Sequence, residues 1–245
     1  MTLAAPRLLL DIGNSRLKWA WQAAEGSGEC GVVVHGGDPA AALPSFAPVQ
    51  PTEVWIAHVT GNDSEARLGA AVRDRFGRAP RFARSAANWR GLRNRYEEPG
   101  RLGVDRWLVM VAAWSEQRVA TCIVDAGTAL TVDGFDADGR HLGGIIGAGL
   151  LTQQRAVLGH TRFATRERGP QYHDGFGTDT ETCVSQGAML ACLGAVDRAL
   201  AATGTAARRL ITGGDAAVLL PHLARDWEHR PDLVLDGLRV LADDR

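Results

Sequence analysis

Three carboxylates in this chain stand where chemistry could be done. Asp125 follows the apolar run Cys122-Ile123-Val124 and leads into Gly127, Thr128 and Thr131. Asp11 follows Leu8-Leu9-Leu10 in the same way and leads into Gly13, Asn14 and Ser15. Glycine lets backbone N–H groups approach an anion closely, and short hydroxyl or amide side chains satisfy its oxygens. An Asp at such a tip must hold a cation, or a water, that meets the phosphate. Either tip alone equally suits an ordinary hairpin turn, where Asp, Gly and Asn are frequent. Two tips, each after an apolar strand and each opening one half of the chain, read as one phosphate-clasp design used twice. The third carboxylate is Asp105, in Gly103-Val104-Asp105-Arg106 at a loop-to-helix junction. There it could act as a general base while Arg106 grips an anionic group. It could also simply offset the helix dipole.

Other chemistries find little footing. Lys18 is the only lysine, and no G-x-x-x-x-G-K-[ST] is present, which excludes a P-loop dependent on its lysine. The histidines (35, 58, 141, 160, 173, 222 and 229) lack metal-type spacing and read as core or surface residues. No Gly-x-Ser-x-Gly occurs. The four cysteines (30, 122, 183 and 192) form no C-x-x-C and read as reduced core residues. The net charge of −1 gives no broad electrostatic case for nucleic acid or an anionic membrane. With no apolar run of about 18 residues and no signal peptide in Met1–Pro6, the expectation is a soluble cytoplasmic protein.

The elements that must position these groups follow from periodicity. Residues 7–12 are a continuous apolar run, hence a buried strand; Leu17, Trp19 and Trp21 alternate with polar residues as a second, and residues 32–34 make a third. Residues 36–51 suggest a loop with a short helix, and residues 54–59 a further strand. Asn62-Asp63-Ser64 would cap a helix carrying Leu68, Ala71, Val72 and Phe76, with another strand over residues 80–83. Residues 84–103, with Tyr96, form a surface loop long enough to be suspected of function. A helix follows to about Arg118, with Val104, Leu108, Val111 and Ala112 on its apolar face. The second half repeats the plan: a hairpin turning at residues 136–139, then Gly143–Gly149 as a loop or tight turn before a helix over 150–158. Residues 162–177 are irregular, Thr180 could cap a long helix, and strand 210–212 joins a further helix through Gly213-Gly214. Val234-Leu235 and residues 238–241 finish the chain. The expected architecture is α/β, two similar lobes of mixed β-sheet flanked by helices, spanning residues 1–118 and 119–245.

Taken in order, Asp11-Ile12-Gly13-Asn14-Ser15, Gly103-Val104-Asp105-Arg106 and Asp125-Ala126-Gly127-Thr128-Ala129-Leu130-Thr131 resemble the three motifs of type III pantothenate kinases. Gly143–Gly149 and Gly177-x-Asp179-Thr180 match in order too, so the resemblance runs from Leu8 to about Asp215. It implies the actin-like ATPase (ribonuclease H-like) fold, ATP between two lobes, and phosphorylation of pantothenate as the first step of coenzyme A synthesis. It also implies roles. Asp11, Ile12, Gly13, Asn14, Ser15, Arg16, Leu17 and Lys18 would form the first phosphate segment, with Asp11 directing Mg²⁺. Asp105 would be the catalytic base, and Tyr96, Gly103, Val104, Asp105, Arg106 and Thr180 the pantothenate contacts. Asp125 would bind a monovalent cation (K⁺ or NH₄⁺), and Thr128 an ATP phosphate. A homodimer is implied, with the pocket near its interface and Thr180 acting from the partner chain.

Two departures from the family pattern stand out. Ser15 replaces the commoner Thr and keeps the hydroxyl; Ala148 replaces Pro in the Gly-rich motif and loses a fixed backbone angle. Two other functions fit the same residues: a same-fold kinase for another small hydroxy compound, or a non-catalytic ATP-binding regulator. An intact Asp105 speaks against the second, since a pure binder needs no base there.

Overall fold

The computed structural model describes residues 6–22, 27–43, 50–162, 172, 175–224 and 226–244. Two compact units emerge, Met1–Gln117 with Asp232–Arg245, and Arg118–Pro231.

In the first unit, β1 (Arg7–Ile12), β2 (Arg16–Gln22) and β3 (Ser27–Val34) form an antiparallel meander. After the short α1 (Pro39–Ala42), β4 (Glu53–His58) pairs parallel with β1. Next, α2 (Asn62–Phe76) crosses over to β5 (Arg81–Phe82), parallel to β4. The spatial order is β3-β2-β1-β4-β5. Leu8, Leu9 and Leu10 are all fully buried, as an unbroken apolar run requires of a central strand covered on both faces. Leu8, Leu10 and Ile12 pack with Leu68, Val72 and Phe76 of α2.

Residues 84–103 are less irregular than expected of a surface loop. They contain the hairpin β6 (Asn88–Trp89) and β7 (Leu92–Arg93) and a single 3₁₀ turn at Pro99–Arg101. Arg90 and Gly91 carry positive φ (45° and 96°), which makes this two-residue turn a tight one. Then α3 (Val104–Glu116) begins. Instead of one apolar face, all of Arg106–Trp114 is buried, so the helix is enclosed on every side.

The second unit repeats the order: β8 (Thr121–Ala126), β9 (Ala129–Phe135) and β10 (His141–Ala148) as an antiparallel meander. Helices α4 (Leu150–His160) and α5 (Thr180–Thr203) follow, then β11 (Arg208–Thr212), parallel to β8. The short α6 (Ala216–Leu219) leads to β12 (Trp227–His229), a strand too brief to leave a periodic signal in the sequence. The spatial order is β10-β9-β8-β11-β12, the same as in the first sheet. Cys122, Val124, Leu130 and Val132 pack against Ala188, Met189, Cys192 and Val196 of α5.

Several expectations are revised. Residues 143–148, expected as loop or tight turn, are part of β10, because their backbone pairs with β9 from His141↔Phe135 to Ala148↔Ala129. The cap of α2 is Gly61 rather than Asn62-Asp63-Ser64, which lie inside its first turn. Most of the polar stretch 162–177, including residues 163–171, 173 and 174, lies outside the described residues, as do residues 44–49 of the expected loop over 36–51.

The last helix, α7 (Leu233–Asp243), packs in the first unit, whereas chain order alone groups it with the second half. The reason is a close crossing with α3: a Cβ on Gly237 would overlap the carbonyl of Leu108. Asp243 also accepts from Arg7 and from Gln22 (3.0 Å). Among the described residues no helix is long and apolar enough to cross a membrane.

Candidate active site

The first tip joins β1 to β2. Asp11 pairs with Lys18 and Ile12 with Leu17 across the ladder, and Gly13 N–H donates to Arg16 O (3.0 Å) to close the turn. Ile12 and Leu17 are fully buried, so these two members of the predicted phosphate segment can offer a ligand only backbone groups. Asn14, Ser15 and Arg16 are exposed; Asp11 and Lys18 are half-buried. Two neighbours brace the tip. Val59 N–H donates to Ile12 O (3.3 Å), extending the β4 pairing. His35, buried at the end of β3, places its ring Nε2 2.9 Å from Gly13 O and its backbone N–H 3.3 Å from Ser15 O.

Within the same unit, Asp105 sits half-buried in the first turn of α3, where the helix dipole favours a carboxylate. Its Oδ1 accepts from the Arg106 N–H (2.8 Å). A Cβ at Gly103 would stand 2.6 Å from that same Oδ1, so any side chain there would displace the carboxylate. Arg106 is buried; its Nη1 donates to the Tyr96 hydroxyl (2.9 Å), and its guanidinium lies 5.8 Å from the Tyr96 ring centroid. Tyr96 is held in turn by Asn94, whose Oδ1 accepts the Tyr96 N–H (3.0 Å). The Asn94 amide donates to the carbonyls of Ala86 and Pro99 (3.2 Å each). The fold therefore brings Tyr96, Gly103, Val104, Asp105 and Arg106 into one cluster.

Beside β4, His58 Nε2 lies 3.0 Å from Glu65, and Arg84 donates to both Glu65 oxygens (2.6 Å). The Arg84 hydrogen bond holds the Glu65 carboxyl below its usual range.

In the second unit, Asp125 pairs with Thr131 and Ala126 with Leu130, and Gly127 N–H donates to Ala129 O (3.0 Å). Thr128 is exposed, while its carbonyl accepts from Gly149 N–H (3.0 Å) and Thr152 Oγ1 (2.7 Å). The glycines here are steric requirements. A Cβ on Gly149 would overlap the Gly127 carbonyl; one on Gly213 (φ +97°) would overlap the Ala126 carbonyl and stand 2.5 Å from Asp125 Oδ1. Asp215 N–H also donates to Ala126 O (2.8 Å). Thr180 is the first residue of α5 rather than its cap. The cap is Asp179, which exchanges hydrogen bonds with Thr182 in a capping box.

Among the described residues no three His, Cys, Asp or Glu side chains gather as a metal-ligand set.

The model of the type III pantothenate kinase family matches residues 7–202. The chain belongs to this family. It is 39% identical to a type III pantothenate kinase of Halorhodospira halophila, over 95% of this chain and 96% of the relative. Identity to one from Nitrosococcus oceani is 35%, over 97% and 94%. Among solved structures, it resembles a Baf family transcriptional activator of Campylobacter jejuni (TM-score 0.63, 20% identity, covering 97% and 98%). It also resembles the activator of 2-hydroxyisocaproyl-CoA dehydratase of Clostridium difficile, solved with bound ADPNP (TM-score 0.57, 11% identity, covering 97% and 94%). At such identities the likeness concerns the fold alone: an α/β chain whose two five-stranded sheets share one strand order.

Sequence reasoning missed the braces of the family motifs. His35, passed over as a core or surface residue, contacts the first tip; the one available signal was its place before Gly36-Gly37, directly after a strand. Thr152 gave no signal, because its role depends on where α4 starts relative to Thr128.

Proposed function

We propose that the protein transfers the γ-phosphoryl group of ATP to the primary hydroxyl of pantothenate, giving 4'-phosphopantothenate at the start of coenzyme A biosynthesis. The observation that carries this reading is the Asp105 cluster in a chain of this family. A helix-start carboxylate stands against Gly103, beside an arginine hooked to Tyr96. In this reading Asp105 orients the acceptor hydroxyl and takes its proton, while Arg106, Tyr96, Gly103, Val104 and Thr180 hold pantothenate. The segment Asp11–Lys18 and Thr128 hold the triphosphate. Asp11 would hold Mg²⁺, which neutralises charge on the phosphoryl oxygens, and Asp125 would hold K⁺ or NH₄⁺. Positioning then supplies most of the rate, with no covalent enzyme intermediate.

The working form in this reading is a cytoplasmic homodimer with Thr180 acting from the partner chain. Exposed Ile146 on β10, Leu151 and Val157 on α4 and Leu190 on α5 support an apolar interface on the second unit. All four cysteines are unbridged, in keeping with a reducing compartment, although Cys30 and Cys183 are exposed and only Cys122 and Cys192 lie in the expected core.

The test is ADP release dependent on pantothenate, measured against a panel of other hydroxy acids and sugars, with K⁺, NH₄⁺ or Na⁺. Activity on pantothenate alone, and only with K⁺ or NH₄⁺, is expected. Preference for another acceptor would reassign the substrate, and indifference between K⁺ and Na⁺ would remove the cation role from Asp125.

A further inference from the structure

We propose that His35 is the positioning residue of the first phosphate tip, fixing the peptide plane between Gly13 and Asn14 as a neutral ring with its proton on Nε2. This rests on the reading that the Asp11–Lys18 segment holds the phosphates of ATP.

His35 is 9% exposed, and its ring contacts two backbone groups of opposite character. Nε2 lies 2.9 Å from Gly13 O, and Gly37 N–H lies 3.2 Å from Nδ1. A carbonyl can only accept and an amide N–H can only donate, so Nε2 carries the proton and Nδ1 is bare. The sequence builds this second contact locally. Gly36 (φ +57°) and Gly37 (φ +96°) occupy a backbone region that side chains resist, and Asp38 N–H closes the turn onto His35 O (2.9 Å). That turn carries the Gly37 N–H back to the ring.

The first contact acts on the tip itself. Gly13 C=O and Asn14 N–H belong to one planar peptide group and point in opposite directions. Drawing the carbonyl toward the buried ring turns the Asn14 N–H away from it, to the exposed side of the turn where Ser15 also lies. An N–H so directed is the kind of donor that cradles a phosphate oxygen. The backbone N–H of His35 holds Ser15 O as well (3.3 Å), so one residue secures both shoulders of the tip. His35 acts through the loop; it is not a catalytic residue.

Kinetics on the full-length protein test this. His35→Phe keeps a ring of similar bulk and deletes both ring hydrogen bonds; His35→Gln keeps one donor for Gly13 O. KM for ATP is expected to rise about tenfold in His35→Phe, or about 1.4 kcal/mol. The rise should be smaller in His35→Gln, with KM for pantothenate within about twofold in both. A folded variant whose two KM values rise together, or whose KM for ATP does not move, overturns the proposal. If His35→Phe fails to fold, His35→Gln decides on the same criteria. Ser15→Ala separates the two ideas. If Ser15→Ala raises KM for ATP but neither His35 variant does, His35 alone is ruled out; if Ser15→Ala also leaves it unchanged, the phosphate reading of the tip falls, and the proposal with it.

Discussion

The two hairpin tips share an order of residues and differ in how they are held. The first spans Gly13–Arg16 between the Ile12↔Leu17 pair, and a histidine side chain braces it. The second spans Gly127–Ala129 between the Ala126↔Leu130 pair, and backbone pressed against backbone at Gly149 and Gly213 braces it. In one, a removable side chain sets the loop; in the other, the absence of side chains does. A repeated topology therefore does not imply a repeated tolerance to substitution, because the same backbone path can be fixed by a hydrogen bond or by close packing.

The two halves also diverge beyond the fifth strand of each sheet. After β5 the chain builds the Tyr96 loop and α3, with Asp105 in its first turn; after β12 it builds α7, which returns to pack on α3. If chemistry is confined to the first of these, Asp105→Asn should lower turnover by about 10²–10⁴-fold. Its melting temperature should change little, since the carboxylate is only half-buried. Near wild-type ADP release would remove the base from Asp105 and erase this asymmetry.

A glycine pair tests the tips directly. Gly149→Ala forces a Cβ into the Gly127 carbonyl, an overlap expected to cost about 1–3 kcal/mol. At this chain length that is a drop of several degrees in melting temperature. Gly13→Ala places its Cβ 3.6 Å from Arg16 O, an ordinary contact, and should melt within about a degree or two of wild type. Equal losses in both variants would show that the tips are held alike after all.

The smallest effect concerns the far end of the first unit. Asp244 accepts from Trp89 Nε1 (2.6 Å) and pairs with Arg90, tying the chain end to the hairpin that precedes Tyr96. Arg90 is mostly exposed, so Asp244→Ala should cost no more than about 1 kcal/mol. KM for pantothenate should rise a few-fold at most, with KM for ATP unchanged. A larger effect on ATP would place this tether in the service of the tip instead.

Much of this was legible from residues alone, for a physical reason. An apolar run ending in Asp and Gly is a local statement: strand, turn and carboxylate are set within about eight residues, so both tips and the start of α3 could be located before any packing was known. Asp105 and Arg106 stood out by their place at a helix start, whereas Tyr96 was singled out only through the family resemblance. Tertiary structure decided whatever depends on a partner distant along the chain. The glycine run at 143–148 is a strand only because β9 lies beside it, and α7 belongs to the first unit only because Gly237 lets it cross α3 at close range. His35 matters only because the end of β3 lies against the Gly13 carbonyl, a contact between residues 22 positions apart that no periodicity encodes.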